Sequence, residues 1–173
     1  MKKMSKEIIQ KYREVYDYIE NKTKDIVLSG KTIDNTCYAV IFNKKNDFSL
    51  FPIPLDHTNS DDSREALLKA MGAILKENKV KVKLFMIVAK VATRKIKDKE
   101  SKECLMFSAR DYLDNEKFSL YERKEIEGKI SLPILDEKTG KKDWNSKGEK
   151  TSTLTNPLLN TIWKEYRKIA KNT

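Results

Sequence analysis

The chain has 173 residues, of which 39% are hydrophobic and 36% are charged, and its formal net charge is +10. This length buries a core without disulfides or a metal, and this apolar content excludes general disorder. The longest apolar run, residues 84–89, is too short to cross a bilayer, so we expect a single cytoplasmic domain, 1–173, without membrane contact.

The centre of the predicted sheet is a three-stranded meander. Residues 80–89 begin in alternation and then become apolar throughout, which indicates a central strand that enters a two-sided core. Residues 103–110 and 118–122 follow across polar loops and favour two further antiparallel strands.

Shorter strands are predicted on both sides of the meander in the sequence. Residues 36–42 and 48–51 predict a hairpin that ends at a sheet edge, because Pro52 cannot donate to a ladder. Residues 25–29 are interpreted as a short strand or entry segment, and residues 130–135 as a last edge strand.

Three segments have apolar residues at helical spacing. The first begins after Ser5 and ends near residue 21, the second spans about 62–77, and the third is capped by Thr155 or Asn156. Their apolar stripes are Ile8, Ile9, Tyr12, Val15, Tyr16 and Ile19; Leu67, Ala70, Met71, Ile74 and Leu75; and Leu158, Leu159, Ile162, Trp163, Tyr166 and Ile169. The predicted fold class is therefore α+β, with three amphipathic helices packed on an antiparallel sheet of about five or six strands.

The positive charge comes from 30 lysines and only 6 arginines. A cationic surface gains affinity for phosphates by releasing counterions, which favours a nucleic-acid partner. Recognition of base edges favours arginine, however, and an excess of lysine also serves solubility. Direct binding of DNA or RNA is therefore the alternative to binding of a protein or a nucleoprotein.

Two polar segments contain the candidate contact residues. The first, residues 94–102, follows the central strand. The second, residues 136–153, is predicted to be a long, mobile, Lys-rich loop. The candidate residues for contact with a partner or a nucleic acid are Arg94, Lys95, Lys97, Lys99, Lys102, Lys138, Lys141, Lys142, Trp144 and Lys147. Together with the cations of the last helix they would form one basic face only if the fold brought them together.

The chain offers few residues for metal chemistry. Cys37 and Cys104 lie in apolar runs and are expected to be buried free thiols. Asp62 and Glu65 fit a helix-capping pair, whereas a hard-cation site at Asp56, Asp61 and Asp62 is the alternative interpretation of this loop. We predict no cofactor and no catalytic residue.

A third functional hypothesis is a metal-dependent nuclease. Asp111 or Asp114 and the triplet Glu122-Arg123-Lys124 resemble the Asp…Glu-x-Lys core of restriction-type nucleases, in which two carboxylates hold Mg²⁺. Acidic-x-Lys triplets are expected by chance at this composition, so the nuclease ranks below the two binding hypotheses.

Residues 84–122 include Phe107-Ser108-Ala109-Arg110-Asp111 at the end of one strand and Tyr121-Glu122 on the next. This stretch resembles a group of small uncharacterised proteins from bacteria, archaea and their mobile elements, and the resemblance implies a cytoplasmic protein with no assigned activity. By elimination, we expect a small, basic, non-enzymatic binding protein of the kind that phages and mobile elements encode. Its partner would be a host protein or a nucleoprotein, such as a defence complex, which it engages or inhibits.

Overall fold

The structure of the protein is a computed structural model that describes residues 4–43, 47–56, 58, 60–93, 101–135, 141–144 and 156–168. The helices of this part of the chain are α1 (Lys6–Leu28), α2 (Asp61–Glu77) and α3 (Asn156–Arg167). Its strands are β1 (Thr36–Phe42), β2 (Phe48–Pro54), β3 (Leu84–Thr93), β4 (Lys102–Asp111), β5 (Glu116–Glu122), β6 (Lys124–Ile126), β7 (Lys129–Ser131) and β8 (Lys141–Lys142).

The main sheet is antiparallel, and its strand order within the described residues is β2-β1-β3-β4-β5-β8. Strand β3 lies in the middle, where Met86 pairs with Tyr38 of β1 on one side and with Ala109 of β4 on the other. The predicted β1-β2 hairpin and β3-β4-β5 meander are both present. The α+β fold class is confirmed.

Helices cover both faces of the sheet. On one face, Tyr12 and Tyr16 of α1 are buried with Met86 and Phe107, which confirms that both tyrosines are core residues. On the other face, α2 and α3 pack over β1 and β3, and the buried residues of α3 are Leu159, Ile162 and Trp163, as its stripe predicted. The strongly apolar sequence of β3 therefore reflects burial on both sides.

Helix α1 is longer than predicted, and the interpretation of residues 25–29 as a strand is wrong. The hydroxyl of Thr23 donates to the carbonyl of Ile19 at 2.7 Å, and Val27, one turn later, is buried. The apolar stripe thus continues through a polar stretch at helical spacing. The helix ends before Gly30, whose φ of 85° is the left-handed conformation that glycine adopts without strain.

The predicted stripe of helix α2 is confirmed in part, because Leu75 is buried and Leu67 and Met71 are partly buried against the core. The buried residues of the helix are Leu68, Gly72 and Leu75, whereas Ile74, which the predicted stripe included, is 47% exposed. The contact with α3 explains why Gly72 is buried, because a Cβ at this position would lie 3.0 Å from atoms of Glu165 and Ile162.

Side chains cap the first two helices. Ser5 caps α1 as predicted, accepting the backbone N–H three residues later at 3.3 Å. Helix α2 is capped by Ser60 and not by the predicted pair of Asp62 and Glu65. The hydroxyl of Ser60 accepts the N–H of Ser63 at 3.2 Å, and the hydroxyl of Ser63 accepts the N–H of Ser60 at 3.0 Å, which satisfies both backbone donors.

The predicted strand at 130–135 is divided between two pairings. Strands β6 and β7 form a separate hairpin, whose turn residues Glu127 and Gly128 both have positive φ, as tight hairpins require. Ile134 then makes a single bridge to β5. The segment therefore contributes one short strand to the small sheet and one bridge to the edge of the large sheet.

Residues 141–144 are anchored to the domain. Strand β8 pairs with β5, and Trp144 is 4% exposed, with its ring centroid 5.2 Å from that of Tyr12 and 6.5 Å from that of Tyr16. The rest of the predicted mobile loop, 136–140 and 145–153, lies outside the described residues.

Asp143 connects this anchored segment to its neighbours. Its carboxylate accepts the N–H of Trp144 at 2.8 Å and the ammonium of Lys117 at 3.2 Å, and it lies 3.4 Å from the guanidinium of Arg13. Burial raises the pKa of Asp143, but the hydrogen bonds and the two cations outweigh burial and hold the pKa below its usual value.

We expect Asp143→Asn to reduce stability at neutral pH and to leave it unchanged in acid. Because the folded pKa is depressed, the carboxylate stabilises the fold above about pH 4, and this contribution is lost as the pH falls through the folded pKa. Solvent screening limits the loss to about 0.5–1 kcal/mol at pH 7. Urea denaturation at pH 7, 5, 3 and 2 measures the effect, with the exposed Asp34→Asn as the control. A gap between Asp143→Asn and wild type that did not shrink between pH 5 and pH 2 would contradict this assignment.

Both cysteines are free and buried, as predicted. Burial raises the pKa of the Cys37 thiol to about 12. At pH 8 the reactive thiolate would therefore be about one molecule in ten thousand.

We expect the folded protein to react with a thiol reagent such as dithionitrobenzoate at least about 100-fold more slowly than the urea-unfolded protein. A Cys104→Ala variant isolates Cys37 and assigns the rate to it. Stoichiometric modification of this variant within minutes under native conditions would contradict the buried position of Cys37.

Candidate functional site

Few of the predicted contact residues belong to a described surface. Arg94, Lys95, Lys97, Lys99, Lys138 and Lys147 lie outside the described residues. Lys102 begins β4 with its ammonium 3.8 Å from Glu122, and Lys141 is exposed on β8 beside Lys142. Trp144 is a core residue, so its ring is not available to a partner.

The sheet register keeps Lys102 apart from the cations of α3. Lys102 pairs with the last residue of β3, whereas Asp111, at the other end of the ten-residue strand β4, pairs with the first. Arg167 of α3 binds Asp114, just beyond that second end, at 3.1 Å. Because a strand rises about 3.3 Å per residue, Lys102 and Arg167 are about 30 Å apart along the sheet. The single basic face considered from the sequence does not include both.

A different group of cations meets at the Asp111 end of the sheet, and we call it the cationic face. It consists of Lys76, Lys81, Lys83, Lys164, Arg167 and Lys168. These residues line two adjoining depressions, of about 770 and 430 Å³, which share Trp163 and Arg167. Three parts of the chain contribute: the end of α2, the segment before β3, and the end of α3.

Apolar residues and lysines alternate in the segment before β3, and this alternation determines where the lysines lie. Val82 is buried, so Lys81 and Lys83 on either side of it face solvent. The hydroxyl of Tyr166 in α3 accepts the N–H of Val82 at 3.0 Å and donates to the carbonyl of Val80, which holds this segment against the helix. The pattern of residues 80–83 signalled this arrangement in the sequence, but the contact with α3 did not.

Aromatic rings lie beside three of these cations, the first being Lys76, whose ammonium is 5.7 Å from the ring centroid of Tyr166. The guanidinium of Arg167 is 4.9 Å from the ring centroid of the buried Trp163, and the ammonium of Lys83 is 5.1 Å from that of Tyr112. Cations at such distances are attracted to the faces of aromatic rings. Tyr112, in the turn between β4 and β5, is 41% exposed, so its ring also remains open to a ligand.

The carboxylates in the two depressions are already bound to arginines. Asp114 pairs with Arg167, and Glu116 pairs with Arg110, which also contacts Asn160. Lys168 bonds Glu165 at 2.7 Å. Lys76, Lys81, Lys83 and Lys164 form no ion pair with any carboxylate that the structure describes. Among the described residues, these four lysines of the face therefore carry positive charge that no carboxylate compensates.

The geometry does not bring the nuclease-like residues together. Asp111 is buried and accepts the N–H groups of Leu113 and Asn115 at 2.9 and 2.8 Å, and burial raises its pKa. Glu122 pairs with Cys104, near the opposite end of β4. Neither Asp111 nor the adjacent Asp114 can share a metal ion with Glu122 across this distance.

In the alternative cation site before α2, two of the three carboxylates already bind neighbouring protein groups. Asp56 accepts the N–H of Asn35 at 2.7 Å, and Asp61 pairs with Arg64 at 2.9 Å. Within the described ranges, no three His, Cys, Asp or Glu residues are grouped so that they would hold a metal ion.

A second cleft, of about 520 Å³, lies between the end of α1 and the strands β3 and β4. Its apolar lining includes Ile33 and Leu105, and Arg123 is one of its cations. Arg123 is 3.7 Å from Glu103 and 3.2 Å from Glu125, so these two carboxylates compensate its charge.

The described helices include none that is long and apolar enough to span a membrane. Comparison of the chain with protein-family models, with curated proteins and with solved structures finds no match.

Proposed function

We propose that this protein is a non-enzymatic cytoplasmic binding protein that holds a polyanionic partner on its cationic face. The partner class follows the expectation from the sequence: an acidic host protein or a nucleoprotein, which a mobile element would engage or inhibit. Direct binding of DNA or RNA is the second candidate. The observation that supports the proposal is the convergence of Lys81, Lys83 and Lys164, all exposed and without a described carboxylate partner, from two distant segments.

The physical basis of the proposal is long-range charge attraction. Ammonium groups at a surface attract a polyanion without demanding one geometry, whereas arginine forks suit directional recognition. Neutralising about six phosphates or sulfates releases condensed counterions, so the affinity is expected to fall about 10³-fold between 50 and 200 mM salt. This salt dependence separates a charge-driven contact from an apolar one.

Two triple variants with equal net charge test the location of the site. In the face variant, Lys81, Lys83 and Lys164 are replaced by glutamine; in the control, the exposed Lys6, Lys31 and Lys129 are replaced in the same way. The probe is fluorescein-labelled heparin, and its binding is measured by fluorescence anisotropy at 50, 100 and 200 mM NaCl.

We expect the control to bind within about twofold of wild type, and the face variant to bind at least about tenfold more weakly. The slope of log affinity against log salt should also fall by two to three for the face variant, about one for each contact removed. Equal weakening of the two variants would show that net charge acts without a site, and would contradict the proposal.

A further inference from the structure

We infer that the polyanion held by the cationic face is a single-stranded nucleic acid, one base of which stacks on the ring of Tyr112. This inference rests on the proposed function and, among the partners named there, selects a nucleic acid, free or within a nucleoprotein, over an acidic protein. The observation that carries it is the exposed ring of Tyr112 in the depression that Lys76, Lys81 and Lys83 line, three lysines with no ion pair among the described residues.

The backbone around Tyr112 is held in place before any ligand arrives. The carboxylate of Asp111 accepts the N–H of Leu113 and that of Asn115, which closes the turn. The guanidinium of Arg167 donates to the carbonyl of Tyr112 and to Asp114. A ring on such a fixed turn offers a stacking surface at little cost in conformational entropy.

Cations line both the depression that contains the ring and the adjoining one. Lys164 and Lys168 line one depression, and Lys76, Lys81 and Lys83 line the other, with Arg167 common to both. A strand that crosses the two depressions would place phosphates near both sets while one base lies on Tyr112. Grooves of positive charge with an aromatic platform are typical of proteins that bind single strands with little sequence preference.

A duplex fits the same surface less well. Sequence readers insert a helix or a two-stranded ribbon into the major groove. Helix α3 instead has Leu159, Ile162 and Trp163 buried against the sheet, so it does not project from the surface. Paired bases in a duplex also cannot stack on Tyr112, so a duplex would gain only the charge contacts.

Tyr18 provides a matched control for Tyr112. It is 42% exposed, close to the 41% of Tyr112, and the ammonium of Lys22 lies 4.8 Å from its ring centroid. Tyr18 belongs to α1, on the opposite face of the sheet from α2 and α3. The two rings therefore have similar exposure and a similar cation contact, but only one lies on the cationic face.

The experiment measures anisotropy with labelled oligothymidylate of about 15 nucleotides, a duplex of equal length, heparin, and poly-L-glutamate at one salt concentration. We expect Tyr112→Ala to weaken oligothymidylate binding about tenfold, Tyr112→Phe to bind within about twofold of wild type, and Tyr18→Ala to have no effect. Heparin has no bases, so its binding should be unchanged in all three variants. Thermal denaturation of each variant controls for folding.

The outcomes distinguish this inference from the proposed function. Heparin binding that depends on the face lysines, combined with no loss of oligothymidylate binding in Tyr112→Ala, would overturn the inference and leave the proposed function standing. Tighter binding of the duplex or of poly-L-glutamate than of oligothymidylate would also overturn it, in favour of a duplex or an acidic protein. Absence of binding to all four probes at 50 mM salt would contradict the proposed function itself.

Discussion

Phe85→Ala is expected to lower the free energy of unfolding by about 3–5 kcal/mol. Phe85 lies on the central strand β3 and is fully buried, and its ring packs edge-on against two aromatic rings of α3. Its centroid is 4.7 Å from that of Trp163 and 6.0 Å from that of Tyr166. Truncation removes the buried ring, leaves a cavity, and removes the ring contacts of Phe85 with Trp163 and Tyr166 of α3.

The control is Phe51→Ala in the edge strand β2, where the ring is 41% exposed. The same truncation there should cost about 1 kcal/mol or less, because little buried surface is lost. Urea denaturation of both variants measures the difference. A loss below about 0.5 kcal/mol for Phe85→Ala would contradict the position of β3 between two covered faces.

The sheet could be predicted from the sequence because burial on one or both faces leaves a direct trace in the order of residues. The continuous apolar run of β3 and the alternating residues of β5 were sufficient to infer a central strand and its meander. The helical stripe of α3 was equally clear. These elements bury apolar side chains, and apolar side chains are what a sequence pattern displays.

Elements whose packing does not depend on apolar side chains were predicted less well. The last turns of α1 contain Thr23 on the buried side, so the helix was predicted to end near residue 21 and residues 25–29 were interpreted as a short strand or entry segment. The buried face of α2 includes Gly72, which contributes no side chain to any stripe. In both cases the buried position of the helix holds a residue that is polar or has no side chain, so the apolar pattern does not reveal it.

The candidate site was the least predictable part. From the sequence we grouped lysines by their nearness along the chain. The fold instead brings together Lys83 and Arg167, which are separated by nearly half of the chain, and places Lys102 at the opposite end of the sheet. Antiparallel register decides which strand ends coincide. The hydrogen bonds of Tyr166 with Val80 and Val82 hold the last turn of α3 beside the segment before β3. Neither determinant has a local signature in the sequence.

The close approach of α2 and α3 leads to a second expected result: Gly72→Val should destabilise the protein by about 2–3 kcal/mol. A Cβ at Gly72 would lie 3.0 Å from the Cβ of Glu165 and 3.0 Å from the carbonyl oxygen of Ile162, and valine adds two further carbons there. Alanine at the same position should be nearly neutral, because its helix propensity, about 1 kcal/mol better than that of glycine, offsets milder crowding.

Ala70→Val, on the exposed side of the same helix, controls for the lower helix propensity of valine and should cost only about 0.5 kcal/mol. Thermal and urea denaturation of the three variants measure these effects. If Gly72→Val were no less stable than Ala70→Val, α2 and α3 would not pack as closely as this contact requires, and the support that α3 gives to the cationic face would have to come from elsewhere.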